Sequence, residues 1–221
     1  MILTNSSIVE NQPYFLICRM LIVLCLSASL WGCTMTFQIE NTVPIPLIEP
    51  LPISVYIYYP TSFREYEYRE ERSDGSVLVN QIGEAQQDVF DQLFVSLFRS
   101  AERIADLNIE SLDKNSADII VTMAVEDYVI TKPRDSGLDF YEVTIRYRLT
   151  LYNLQGEFIS AWSANGYGRH RKTNFMPLAA TAEATEEAIR DVATLIAIEL
   201  GNTPEIKSII CRKYKIKTEC G

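Results

Sequence analysis

Histidine is the residue that this chain most nearly lacks. Its 221 residues include a single histidine, His170, whereas many zinc sites and all Ser-His-Asp triads require this residue. No phosphate-binding loop, dinucleotide-binding glycine pattern or HExxH motif is present either. Most His-dependent metal and triad chemistry is therefore excluded, and the sequence predicts neither a metal site nor a cofactor.

Positive charge is also scarce. The chain has 20 Lys and Arg residues against 29 Asp and Glu, a formal net charge of −9. Proteins that bind nucleic acids by neutralising phosphates carry the opposite excess, so we expect no nucleic-acid partner. The hydrophobic share of 48% and the charged share of 22% are ordinary for a globular protein. We therefore expect a hydrophobic core and not a disordered chain.

Long hydrophobic runs are absent. The longest uncharged apolar run is 21–30, which follows Arg19 and precedes a Trp-Gly-Cys tripeptide. Such a run rises about 15 Å as a helix, against about 30 Å for the hydrocarbon core of a bilayer. A basic residue before a short apolar run is typical of a secretory signal peptide. An uncleaved inner-membrane anchor is the alternative.

The end of this run, Leu30-Trp31-Gly32-Cys33, resembles a bacterial lipobox. The resemblance implies cleavage before Cys33, whose thiol would carry a thioether-linked diacylglycerol, and more than one acyl chain makes such an anchor durable. The resemblance to bacterial lipoproteins also implies sorting to the outer membrane, because Thr34 and not aspartate follows the cysteine. A chance cysteine behind an ordinary cleaved signal is the competing interpretation.

The rest of the chain divides by composition. A proline-rich tether is predicted within 33–52, a folded periplasmic domain over 53–202, and a basic tail over 203–221. Two cysteines of the mature chain, Cys211 and Cys220, lie in this tail. They form either a disulfide in an oxidising compartment or a pair of free thiols.

Hydrophobic periodicity predicts an α+β fold. An apolar stripe favours a helix over 84–103, and a second helix is expected over 178–200. Strands are predicted at 54–59, 117–131 (with an irregularity near Glu126 and Asp127), 139–152 and 157–166, and a hairpin joins 63–71 to 77–79. The expected fold class is a two-layer sandwich, in which two amphipathic helices cover one face of a mainly antiparallel sheet.

The candidate binding residues are basic. Arg146 and Arg148 share the polar face of the strand with the cleanest period of two, and Arg169, Arg171 and Lys172 follow its partner strand. Guanidinium groups bind phosphates and carboxylates well, so this cluster predicts a surface for an anionic partner. The alternative is pairing with local acids such as Glu142 and Glu157, which stabilises an exposed surface by only about 0–1 kcal/mol.

Taken together, the lipobox, the strand pattern YEVTIRYRLTLYNLQGEFI and the alanine-rich last helix resemble small outer-membrane lipoproteins of the LptE and YajG types. The resemblance covers roughly 33–200 and implies a non-catalytic module tethered to the membrane. Its partner would be an envelope protein or an anionic envelope component. The alternative function is a cell-envelope hydrolase that uses His170 or a carboxylate such as Glu126.

Overall fold

The structure of the chain is a computed structural model, which describes residues 34–38, 49–72, 75–172 and 177–215. The predicted signal peptide, Cys33 and Cys220 lie outside the described residues. The chain divides into two units, Met1–Met35 with Glu70–Leu78, and Thr36–Arg69 with Val79–Gly221.

The smaller unit contains the tip of a β-hairpin. Strand β3 (Glu67–Glu71) turns back into β4 (Val77–Gln81), and the Arg72 N–H donates to the Ser76 carbonyl at 2.9 Å. Gly75 adopts φ +80°, a conformation that favours glycine. The predicted hairpin is present, although 61–64 forms a short helix, α1 (Thr61–Arg64), before it.

These two strands belong to a three-stranded sheet in the order β1–β4–β3. Strand β1 (Thr34–Gln38) lies in the segment that the sequence assigned to the tether.

The larger unit is built on a five-stranded sheet, whose strands are β2 (Leu51–Tyr58), β5 (Phe98–Arg103), β6 (Ile119–Thr131), β7 (Phe140–Tyr152) and β8 (Phe158–Arg171). Their order across the sheet is β5–β2–β6–β7–β8. Strand β2 pairs in parallel with both of its neighbours, whereas β6, β7 and β8 form an antiparallel meander. The sheet is therefore mixed, and the two parallel pairings were not expected.

Two long helices, α2 (Gly83–Leu97) and α4 (Pro177–Glu199), cover one face of this sheet. Phe90 and Phe94 of α2 and Ile189 of α4 are fully buried, and they share one core with Val55 and Tyr147 of the sheet. The α+β sandwich with helices packed on the sheet is confirmed. A short helix, α3 (Pro133–Ser136), connects β6 to β7.

The helix predicted over 84–103 is too long. It ends at Leu97, and Phe98 adopts an extended conformation, with φ −111° and ψ 155°. The next residues form the edge strand β5, in which Ala101 lies opposite Val55 of β2. Phe98 is buried in this strand, as it would be on the apolar face of a longer helix. Its spacing from the apolar residues of α2 therefore gives no sign that the helix ends and a strand begins.

The segment predicted as a basic tail contains a further helix, α5 (Pro204–Tyr214). Ile206 is fully buried, Lys213 Nζ lies 2.5 Å from the Asp118 carboxylate, and the Tyr214 hydroxyl donates to the Pro52 carbonyl at 2.8 Å. The folded part of the chain thus extends beyond 202. Within the described residues, no helix combines the length and hydrophobicity that a membrane crossing requires.

Candidate functional site

The face of the sheet opposite the helices is only partly covered. At one end, segment 104–117 packs over it, where Tyr56, Ile120 and Leu154 form a small second core. The remainder, on β6, β7 and β8, is lined by polar side chains. We call this surface the open face; it comprises Glu126, Asp127, Glu142, Thr144, Arg146, Arg148, Ser163, Asn165, Tyr167 and Arg169.

Strand alternation places these residues together. Along β7, Val143, Ile145 and Tyr147 are buried against the helices, and the residues between them point the other way. In β6 the register shifts between Val125 and Asp127, a β-bulge that places Glu126 on the open face. The predicted irregularity near Glu126 is confirmed.

Arg148 forms an ion pair with Glu126. Its Nη1 lies 2.9 Å from Glu126 Oε1, and the Ser163 hydroxyl donates to Glu126 Oε2 at 3.0 Å. The Arg148 side chain remains 49% exposed. Arg148 therefore does pair with a local acid. The partner is Glu126 of the neighbouring strand, and not Glu142 or Glu157.

Arg146 is held differently. Its Nε donates to Asn165 Oδ1 at 3.0 Å, and among the residues that the structure describes it forms no ion pair. Because this bond uses only Nε, the two terminal nitrogens of the guanidinium group are left for an incoming anion. Arg146 therefore keeps unused binding capacity at the centre of the open face.

The other predicted cations lie further along the same strand pair. Arg169 is opposite Glu142, and its guanidinium carbon lies 5.3 Å from the centre of the Phe140 ring. The Tyr167 hydroxyl donates to Glu142 Oε1 at 2.5 Å, and this hydrogen bond raises the pKa of Tyr167. Arg171 ends β8 on the same face, and Lys172 follows the strand; both are exposed.

The structure thus places Arg146, Arg148, Arg169 and Arg171 on one face, interspersed with carboxylates. The sequence pattern did not single out Glu126, Ser163, Asn165 and Tyr167 as members. Alternation along β8 was the available signal for the last three of these, whereas the bulge that turns Glu126 outward depends on tertiary pairing.

Cys211 lies on α5, and Cys220, its possible disulfide partner, is outside the described residues.

The residues of the hydrolase alternative are not grouped together. His170 lies within β8, half-buried opposite Tyr141. The Glu126 carboxylate is engaged by Arg148 and Ser163. The described part of the chain contains no group of three or more His, Cys, Asp or Glu residues suited to a metal ion.

Glycines in β8 fix the helix layer behind the open face. A Cβ atom on Gly166 would lie 2.0 Å from the Ala188 carbonyl oxygen, and one on Gly168 would lie 2.0 Å from the Ala184 carbonyl oxygen. Helix α4 therefore packs directly on the backbone of β8. This close approach is the reason for the Gly-Tyr-Gly sequence, which has no phosphate-binding context.

Comparisons with known proteins agree with the fold. No protein-family model matches the chain, and no curated protein matches it. A Xanthomonas campestris protein of the DUF330 family has a similar structure, with a TM-score of 0.51 and 13% identity, over 82% of this chain and 99% of that one. At this identity the likeness shows a shared fold alone.

Two further solved structures show weaker likeness. A Helicobacter pylori homolog of neuraminyllactose-binding hemagglutinin has a TM-score of 0.48 and 11% identity, over 81% of this chain and 100% of that one. Lipoprotein B of Nitrosomonas europaea has a TM-score of 0.43 and 12% identity, over 78% and 97% of the two chains. The structural neighbours thus include bacterial lipoproteins.

Proposed function

We propose that this protein is a non-catalytic lipoprotein, anchored through Cys33 on the periplasmic face of the outer membrane, which binds an envelope partner through the open face. The lipid anchor restricts the domain to the membrane surface and so raises its effective concentration for partners located there. The partner is an envelope protein or another envelope component with anionic groups opposite the arginines.

The observation that carries this proposal is the asymmetry of the sheet. One face is closed by α2 and α4, whereas on the other Arg146 and Arg148 remain exposed in a chain of net charge −9. The acids among the arginines make the surface selective, because a partner must place negative groups opposite the arginines and positive or neutral groups opposite the acids. Carboxylates and phosphates suit the guanidinium groups best.

Charge reversal on the open face tests the binding role. A photo-crosslinking residue at the exposed Thr144 is expected to trap the partner in intact envelopes, where mass spectrometry identifies it. We expect the double variant Arg146→Glu, Arg148→Glu to reduce this adduct about tenfold, because two favourable charges become repulsive. Thermal unfolding should change little, since exposed ion pairs contribute about 0–1 kcal/mol.

Arg134→Glu provides the matched control. Arg134 lies on α3 with its side chain 75% exposed, so the same type of charge reversal, at one position and not two, is made away from the open face. An adduct that is unchanged in the double variant, or reduced equally by Arg134→Glu, would contradict the assignment of the open face as the binding surface.

The anchor is tested separately on Cys33. We expect mass spectrometry of the mature protein to find Cys33 as the first residue, carrying a diacylglycerol thioether and a further acyl chain. Cys33→Ser should block processing, because the hydroxyl does not replace the thiol as the lipid-accepting nucleophile. An unmodified thiol, or a mature N-terminus upstream of Cys33, would overturn the lipoprotein assignment and leave the test of the open face intact.

A further inference from the structure

The five-stranded sheet has two edges, β5 and β8, and their sequences protect them unequally. An edge strand leaves alternate backbone groups unpaired, and these recruit another strand unless charges or covering groups prevent it. Strand β5 carries Arg99, Glu102 and Arg103. It is therefore a charged edge that disfavours strand addition.

The second half of β8 is covered by carboxylates. Asp191 Oδ2 accepts the Tyr167 N–H at 3.0 Å, and Glu187 Oε2 accepts the Arg169 N–H at 2.8 Å. Both acids come from α4, which passes beside this part of the strand. These bonds also show that the odd-numbered N–H groups of β8 point away from β7.

The first half of β8 has no such cover. By alternation the N–H groups of Ala161, Ser163 and Asn165 also point away from β7, and in the part of the chain that the structure describes no acceptor meets them. The sequence from Phe158 to Ala164, FISAWSA, contains no charge, and Phe158 is 64% exposed. This is a bare, apolar strand edge.

An apolar groove runs beside this edge on the helix side. It has a volume of about 240 Å³, and its lining is mainly apolar, with Trp162, Leu200 and Pro204 beside Ser160 and one charged residue, Glu205. In strand addition, backbone hydrogen bonds supply affinity and adjacent pockets take alternate side chains of the added strand. The groove is therefore suited to an added strand that places a large apolar side chain opposite Ser160.

The first half of β8 can itself supply the large apolar side chain, in a second copy of the chain. When two copies are aligned antiparallel about Ala161, Trp162 of each copy lies opposite Ser160 of the other. On both sides of the axis a large side chain therefore faces a small one. Phe158 lies beyond a register shift that adds one residue to β8 before Ser160, so it takes no part in this alternation. No like charges meet within this stretch. The paired stretch ends before Tyr167, where the carboxylate-covered half begins.

We infer that β8 is a self-association edge, where two copies of the chain pair antiparallel across a two-fold axis near Ala161 and join their sheets. The interface is isologous, since the same segment serves both copies. This inference does not depend on the lipid anchor or on the open face.

A single cysteine at the axis tests the pairing. Facing residues in a hydrogen-bonded antiparallel pair have Cα atoms about 5.5 Å apart, within the range of about 4.4–6.8 Å that a disulfide requires. We expect Ala161→Cys to give at least tenfold more disulfide-linked dimer on non-reducing gels than the parent chain. Tyr167→Cys is the matched control, exposed on the covered half of the same strand, and should remain at the parent level.

Sedimentation of the full chain in detergent provides the second measurement. The parent should sediment as a dimer, and Ser163→Lys should raise the dissociation constant at least tenfold, because a lysine on a strand edge blocks pairing. Circular dichroism would verify that this variant remains folded. Equal crosslinking of the two cysteine variants, or a parent chain that is monomeric or is a dimer unaffected by Ser163→Lys, would overturn the inference.

Discussion

Two glycines in β8 determine how closely helix and sheet approach. Gly168 faces Ala184 and Ala188, so that its missing side chain is replaced by the backbone of α4. Small residues spaced four apart on the helix complete the fit, because they leave no side chain between the two backbones. The open face thus lies on a strand whose other side is packed directly against a helix.

Gly168→Ala should therefore destabilise the protein strongly. The new Cβ atom would lie 2.0 Å from the Ala184 carbonyl oxygen and 2.5 Å from the Ala188 nitrogen, so the helix must shift. We expect a loss of about 1–3 kcal/mol or more in the free energy of unfolding, measured by urea denaturation. Ser163→Ala, on the opposite face of β8, is the control, and an equal urea midpoint for the two variants would contradict this packing.

At the scale of elements, interiors were predictable from sequence and several boundaries were not. The period of two in β7 and the helical stripe of α2 each reflect one buried face, so composition and spacing were sufficient to identify them. The turn at 153–156 between β7 and β8 is held by local contacts, since Gly156 supplies φ +82° and Asn153 Oδ1 accepts two backbone N–H groups at 2.9 Å.

The switch from α2 to β5 shows why boundaries escape such reasoning. Phe94 and Phe98 lie four residues apart and are both buried, so they satisfy a helical stripe. The strand exists because β2 offers a free edge for parallel pairing, and that edge belongs to residues more than forty positions earlier. Information of this kind resides in tertiary structure and not in local periodicity.

The candidate site was predictable to the same extent. Arg146 and Arg148 were placed correctly on the polar face of one strand, because alternation decides which way a strand residue points. Their contacts with Asn165 and Glu126 follow from the register of β8 and from the bulge in β6. The bulge was predicted as an irregularity near Glu126, whereas the register of β8 leaves no distinct pattern in a single sequence.

At the scale of the whole molecule, buried tyrosines link the fold to pH. Burial is the main cause that raises the pKa of Tyr59, Tyr128 and Tyr147 above the ordinary value. The Tyr147 hydroxyl donates to Gln86 Oε1 at 2.8 Å, and the Gln86 amide in turn donates to the Phe63 carbonyl at 2.6 Å. The neutral phenol is therefore the form that the core accommodates.

This arrangement predicts unfolding in alkali. Above pH of about 10 the unfolded chain releases phenolic protons that the folded chain retains, so each such tyrosine costs about 1.4 kcal/mol of stability per pH unit. Below that pH, all three hydroxyls are protonated in both states and their contribution is constant. We expect tyrosinate absorbance from these residues to appear only together with the loss of the helical circular dichroism signal.

The Tyr147 hydroxyl is both a hydrogen-bond donor to Gln86 and a group that titrates in alkali. The variant Tyr147→Phe separates these two roles. At neutral pH the variant should lose about 1–3 kcal/mol, because the buried Gln86 oxygen is left without its donor. Above pH of about 10 its stability should fall less steeply than that of the parent, since one fewer proton is released on unfolding. Complete tyrosinate formation while the helical signal persists would show that these hydroxyls are accessible to solvent in the folded protein, and the buried aromatic core described for the larger unit would then be wrong.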